Sequence, residues 1–172
     1  KTQKESVPAP VTVSKPKTDK LVFGAYNEAE AKRYISKYLP FAEIQENKHG
    51  IPAAITIAQG LHESNAGRSR LARNNNNHFG IKCFNRSCKK GHCSNHHDDS
   101  HKDFFRKYKT VSDCFKDRTR FLKKKRYKHL FNLKKSDYKG WAKGLQSAGY
   151  ATDKRYAKKL IKTIEKYNLQ NI

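Results

Sequence analysis

Hydrophobic positions recur at helical intervals over most of the chain, and the polar residues between them mark where helices should start and stop. In "YNEAEAKRYISKYLPF", Ala31, Tyr34, Ile35 and Tyr38 follow i, i+3, i+4, i+7 spacing, and Asn27 with Glu30 three residues later has the form of a capping box. Pro40 is expected to break or kink this helix, and the following "FAEIQENKHG" is expected to close at Gly50 as the left-handed residue. The next helix opens at Pro52, the favoured first position, and projects Ile51, Ala54, Ile55, Ala58 and Leu61 onto one face. Gly67 is the expected C-terminal cap, and "SRLARN" reads as a short helical turn before a run of asparagines.

From Phe79 to Tyr108 the pattern changes. Gly80, Gly91, clustered Asn, Ser and His, and the short apolar pieces "HFGIKCF" and "DFFRKY" predict a small hairpin or two-stranded element. Helical spacing returns in "TVSDCFKDRTRFLKKKRY", through Val111, Cys114 or Phe115, Arg118, Phe121 and Leu122, with Ser112 as the expected N-cap. Two further helices follow. "SDYKGWAKGLQSAGY" stops at Gly149, and "TDKRYAKKLIKTIEKYNL" starts at Thr152 or Asp153 and is amphipathic through Tyr156, Leu160, Ile164 and Tyr167. No internal repeat is visible. The pattern predicts a mainly α (α+β) fold: a helical domain with one small β excursion.

Composition sharpens this picture at the N-terminus. Residues 1–20 hold three of the five prolines, several lysines and no aromatic residue, so they bury too little apolar surface to offset their ordering entropy and read as a linker or tail. Residues 21–172 form the domain, and one of about 150 residues buries roughly 70% of the surface its unfolded chain exposes. The chain contains no Met, so Lys1 is not expected to be a translation start, and a segment upstream of it, which could have held a secretion signal, is expected to have been removed. No apolar run is long enough to span a membrane.

A net charge of +23 gives the surface a field that attracts nucleic acid, anionic lipid or acidic wall polymers alike. The lysines are scattered over every helix, "KKKRYK" included, and form no recognised nucleic-acid reading motif, so no specific nucleic acid is expected. Cys83, Cys88, Cys93 and Cys114 allow two disulfides in three pairings. The competing reading is zinc, because the first three lie close to His92, His96 and His97; the wide Cys spacing favours disulfides.

Within "AQGLHESNAGRS", Glu63 falls about 80° past Ile55 on a helical wheel, on the same edge as Gln59 and Thr56. That edge borders core and solvent. In the last helical turn a carboxylate meets the negative end of the helix dipole and partial desolvation, and both favour its protonated form, the form a general acid needs. The alternative is a surface ion pair with Arg68 or Arg70. His62 points toward the interior and is assigned to packing.

"IPAAITIAQGLHESNAGRSRLARNNNNHFGIK", together with "YKGWAKGLQSAGYATDKRYAKKLIKTIEKYNL", resembles the bacterial peptidoglycan N-acetylglucosaminidase domain, glycoside hydrolase family 73, related to flagellar wall hydrolases and more distantly to goose-type lysozyme. The match runs from about Tyr34 to Leu169. The resemblance implies a lysozyme-like helical domain with a small β-hairpin lobe flanking a substrate groove, and Glu63 as the catalytic general acid. The family's second acid, where present, lies in the β-lobe, whose only carboxylates here are Asp98, Asp99 and Asp103, so Asp98 or Asp99 is the candidate. Asp is shorter than the Glu often found there, and the substrate's own acetamido oxygen is the other route.

The resemblance also implies that Tyr150, in "AGYATD", faces the catalytic centre. Candidate substrate contacts are Asn77 in "NNHFGIK", Phe79, Tyr127 and Gln59, while Trp141 on its amphipathic helix leans to the core. The implied activity is endo-β-N-acetylglucosaminidase cleavage of peptidoglycan glycan strands by a monomer in the periplasm, at the cell surface or secreted, with an anionic wall or membrane surface as a further partner. This chemistry requires no metal or other cofactor. A non-catalytic glycan-binding module on the same fold is the alternative.

Overall fold

The computed structural model describes residues 26–83, 89–95 and 104–172; the expected linker at 1–20 lies outside them. Helix α1 (Glu28–His49) starts with the capping box anticipated from Asn27 and Glu30 and ends at Gly50, whose φ of 74° needs no Cβ to be accommodated. It does not stop at Pro40. The ring is exposed and Ser36, whose carbonyl loses its helical donor there, is exposed too, so water can replace the missing bond. Tyr38 and Ala42 remain buried on the opposite face and carry the helix through.

Helix α2 (Ala53–Ser64) is the centre of the molecule. It packs against α1, α5 (Tyr138–Ser147) and α6 (Tyr156–Lys166), and every one of its residues except Glu63 is buried. Its N-terminus follows Pro52, which makes no side-chain cap; Glu46 of α1 accepts from Ala53 N at 2.6 Å instead. Its C-terminus comes earlier than Gly67. Asn65 is the cap, and Asn65, Ala66 and Gly67 are all left-handed, at φ 51°, 53° and 78°. Ser64 secures the turn: its hydroxyl donates to Gly60 O and accepts from Gly67 N, and its carbonyl accepts from Ser69 N.

Helix α3 (Arg70–Asn75) is capped by Ser69 and leads into the β excursion, where β1 (Cys93–Asn95) and β2 (Phe104–Arg106) pair antiparallel with Cys93 opposite Arg106. A disulfide joins Cys83 to Cys93. The two-disulfide count fails, because Cys114 is a free, fully buried thiol whose sulfur accepts from His78 N.

Helix α4 (Val111–Leu122) is capped by Thr110 rather than Ser112, and a 3-10 segment, Lys125–Asn132, connects it to α5. Gly149 is left-handed beyond α5, as its position implied. Helix α6 begins at Tyr156, later than Thr152 or Asp153, because Asp153 is spent on a turn that receives Arg155 N on its side chain and Tyr156 N on its carbonyl. No helix among the described residues is long and apolar enough to cross a membrane.

Candidate active site at the end of the second helix

Glu63 is half-buried one residue before the end of α2, and its Oε1 accepts a hydrogen bond from Tyr156 Oη at 3.2 Å. The ion pair considered from the sequence is not formed: Arg68 binds Glu30 across to α1, and among the described residues Glu63 makes no salt bridge. Burial pushes the Glu63 carboxyl up to about 7, against the Tyr156 hydrogen bond and the charge of Arg118, which both pull it down. A carboxyl balanced there holds its proton at neutral pH and can release it.

Behind Glu63 runs a chain of buried polar groups that the sequence did not reveal as a unit. Arg118 on α4 is fully buried and, among the described residues, has no carboxylate at ion-pairing distance. Its guanidinium lies 5.1 Å from the Phe79 ring centroid and donates to Thr56 Oγ1 at 3.1 Å and to Gln59 Oε1, the Nε bond being 3.1 Å long. Burial lowers the Arg118 pKa from its ordinary value, while the neighbouring Tyr150 and Tyr156 oppose that shift.

Hydrogen-bond polarity then follows by elimination. Arg118 can only donate, so Gln59 must turn its carbonyl oxygen toward it. The amide nitrogen is thereby aimed at Tyr156 Oη, to which it donates at 2.7 Å. Tyr156 Oη has accepted that bond, so its single hydrogen goes to Glu63 Oε1. Glu63 Oε2 takes no part in this bond.

Tyr150 stacks on Tyr156, with ring centroids 5.8 Å apart and planes 20° from parallel, and it also meets Tyr127 and Phe121 edge-on. Burial raises the Tyr150 phenol above its ordinary pKa, and the nearby Glu63 charge raises it further. Tyr150 therefore shares the electrostatic environment of Glu63.

The other candidates occupy different places. Gln59 is fully buried and lies behind the acid, within the polar chain. Asn77 is 1% exposed, and its side chain is engaged from both ends: Nδ2 donates to Ile81 O and Arg106 O, and Oδ1 accepts from Ile81 N. It braces the hairpin against α3 and offers no donor to a sugar. Phe79 lies beneath Arg118 and edge-on to Phe115, and Tyr127 is fully buried beneath Tyr150, so both rings are packing surface for the site rather than an exposed wall. Trp141 is fully buried, and His62 is buried with Nε2 on Thr163 Oγ1 at 2.7 Å, both as expected. Asp98, Asp99 and Asp103 lie outside the described residues.

The hairpin is held to the helical body by Asp117 of α4, which accepts from Arg106 Nη1 and Tyr108 Oη, each at 2.7 Å. Arg118 follows it directly, so consecutive residues of α4 face the β-lobe and the polar chain behind Glu63. A mainly helical body with a small lobe tied to α4, and a glutamate whose carboxyl titrates near neutrality, is a geometry suited to acid-catalysed bond cleavage.

Comparison with known proteins agrees with this geometry. The family model described as mannosyl-glycoprotein endo-beta-N-acetylglucosaminidase, Glucosaminidase, matches residues 39–169. The exo-glucosaminidase LytG of Bacillus subtilis is 35% identical over 158 residues, covering 81% of this chain and 52% of the relative. The chain thus spans about half the length of that curated relative.

Among solved structures, the catalytic domain of the autolysin Auto from Listeria monocytogenes superimposes with a TM-score of 0.68 at 29% identity, covering 86% of this chain and 89% of that one. The glycoside hydrolase domain of Salmonella typhimurium FlgJ gives a TM-score of 0.64 at 26% identity over 82% of this chain and 90% of that one. Family model, relatives and fold agree, and the chain belongs to the glucosaminidase family, glycoside hydrolase family 73.

Proposed function

We propose that this domain hydrolyses the glycan strand of peptidoglycan after N-acetylglucosamine, as an endo-β-N-acetylglucosaminidase, with Glu63 as the general acid. The observation that carries the reading is the state of Glu63: the one residue of α2 not buried, without a salt bridge among the described residues, and poised by burial to hold its proton to about pH 7. In the forward step the Glu63 carboxyl proton passes to the glycosidic oxygen as the bond from that oxygen to the sugar's anomeric carbon breaks. The carboxylate so formed keeps its hydrogen bond from Tyr156 and feels the buried charge of Arg118. Both interactions strengthen as negative charge develops, which lowers the barrier rather than merely tightening binding.

The positively charged sugar centre needs an electron-rich partner before water completes the hydrolysis. Asp98 or Asp99 of the β-lobe is one candidate and the acetamido oxygen of the substrate the other. Tyr150, beside Tyr156 and under the influence of Glu63, is assigned to the acetamido group or to the acid itself. The positive surface suits a polymer bearing peptide carboxylates, and the reading places the domain where it meets the wall: in the periplasm, at the surface or outside the cell.

Clearing of purified wall sacculi tests the reading. Wild type should lower the turbidity, and Glu63→Gln, which keeps the shape but cannot donate a carboxyl proton, should reduce the rate by at least about a hundredfold. A wild-type protein that binds sacculi without clearing them would instead make this a glycan-binding module. Mass analysis of the released fragments checks the bond: internal cleavage gives oligosaccharides of mixed length, whereas exo-cleavage releases one small product from strand ends.

A further inference from the structure

A second cluster of chemistry lies in the β-lobe, on the described residues around the disulfide. His92 Nδ1 is 3.3 Å from Cys93 Sγ and 3.8 Å from Cys83 Sγ, and the three ligand-type atoms all lie within 4.8 Å of one another. A covalent staple needs no imidazole beside it. Two sulfurs and a ring nitrogen converging on one point are the donor set that divalent zinc prefers.

The backbone of each residue is held independently of the S–S bond. Cys83 N donates to Phe104 O at 2.7 Å; His92 N donates to Lys89 O at 3.0 Å and its carbonyl accepts from Lys107 N at 2.9 Å; Cys93 pairs with Arg106 in the sheet. Opening the disulfide therefore leaves three donors on a fixed frame. The Cα atoms of Cys83 and Cys93 are 6.3 Å apart. That spacing suits a disulfide, and it also lets rotation about the Cα–Cβ bonds move the sulfurs to the roughly 3.8 Å separation that Zn–S bonds of about 2.3 Å require around a tetrahedral ion.

We propose that Cys83, His92 and Cys93 form an interchangeable crosslink: a disulfide when oxidised, and a site for one zinc ion when reduced. A dithiol supplies two electrons and two protons, the S–S bond breaks to two thiols, and the reductant closes to its own disulfide. Zinc then displaces the two thiol protons to solvent as two Zn–S bonds form, and neutral His92 contributes the Nδ1 lone pair as the third ligand. The exchange has a physical use, because β1 and β2 are three residues each, and a crosslink adds to the stability of so short a ladder in either redox state. Either crosslink would keep the lobe closed.

The test is metal binding by the intact chain, independent of glycan cleavage. Wild type is reduced with a dithiol, freed of reductant under nitrogen and titrated with zinc against a chromophoric chelator. One zinc per chain is expected for the reduced protein and none for the oxidised one. Cys83→Ser should abolish this binding, and His92→Ala should weaken it by about tenfold or more, the loss that even an outer-shell partner causes. Substituting cobalt for zinc should give a thiolate charge-transfer band in the reduced wild type that is lost in Cys93→Ser as in Cys83→Ser, and thermal unfolding of each variant checks that it is folded. Reduced wild type that binds zinc no more tightly than folded Cys83→Ser or His92→Ala would overturn the proposal.

Discussion

Glu63 owes its acidity to where α2 ends. The same residue one turn earlier would lie fully inside the bundle, and beyond Ser64 it would lie in the left-handed turn; at its actual position it is desolvated without being sealed off. Burial sets its pKa at about 7, and Tyr156 and Arg118 prevent it from rising further. Because a general acid acts in its protonated form, the rate should fall as pH rises through about 7. Tyr156→Phe removes a hydrogen bond that favours the charged form, so the falling limb should move to higher pH. The maximal rate should drop about ten- to a hundredfold as the developing carboxylate loses a donor worth about 1.5–3 kcal/mol. A pH–rate profile of sacculus clearing measures both effects, and a limb that stays in place would show that Tyr156 does not address Glu63 in solution. Glu63 was legible in the sequence because helical phase and a nearby turn mark a border position. The role of Arg118 was not: spacing put it on the inward face of its helix, but its partner Gln59 lies 59 residues away.

At the level of elements, α2 is apolar enough to be buried on all sides, and only its most regular face was read from spacing. Gly60 shows what full burial demands. A Cβ there would collide with the Tyr34 hydroxyl of α1, which is held by His78 Nδ1 at 3.0 Å and has little freedom to retreat. Gly60→Ala should therefore destabilise the fold by about 1–3 kcal/mol of overpacking, outweighing the ~1 kcal/mol that alanine's helix preference returns. Urea unfolding measures the sum, and an unchanged or raised midpoint would mean that α1 and α2 can move apart at no cost. Pro40 carries the complementary lesson: a proline disrupts a helix by the carbonyl it leaves unpaired, and where that carbonyl faces water, packing on the opposite side prevails. The start of α4 was misplaced by two residues because Ser112 is as good a cap by type as Thr110, and that of α6 because Asp153, a good cap by type, is used in the preceding turn while Arg155 stands at the cap without a side-chain bond.

For the molecule as a whole, +23 on 172 residues exerts a force in solution that no single contact describes. If that field holds the enzyme to its wall polymer, sacculus binding and clearing should both decline as added salt shortens the screening length below about 8 Å. Co-sedimentation and turbidity across a salt series follow this directly, and activity that stays constant to high ionic strength would remove charge from the account of substrate capture.

The sequence by itself determined the order of the main helices, the α1 capping box, the stop at Gly50, the small hairpin and the carboxyl at the end of α2. These depend on spacing and capping within a few residues, where backbone geometry leaves few choices. Only the tertiary structure decided that Asn77 braces the hairpin, that Phe79 and Tyr127 lie beneath the site, and that Gln59 turns its oxygen to Arg118 so that Tyr156 must donate to Glu63. The reason is physical: periodicity reports which face of a helix is dry, but the direction of a hydrogen bond across that dry space depends on a donor or acceptor carried there by a different helix.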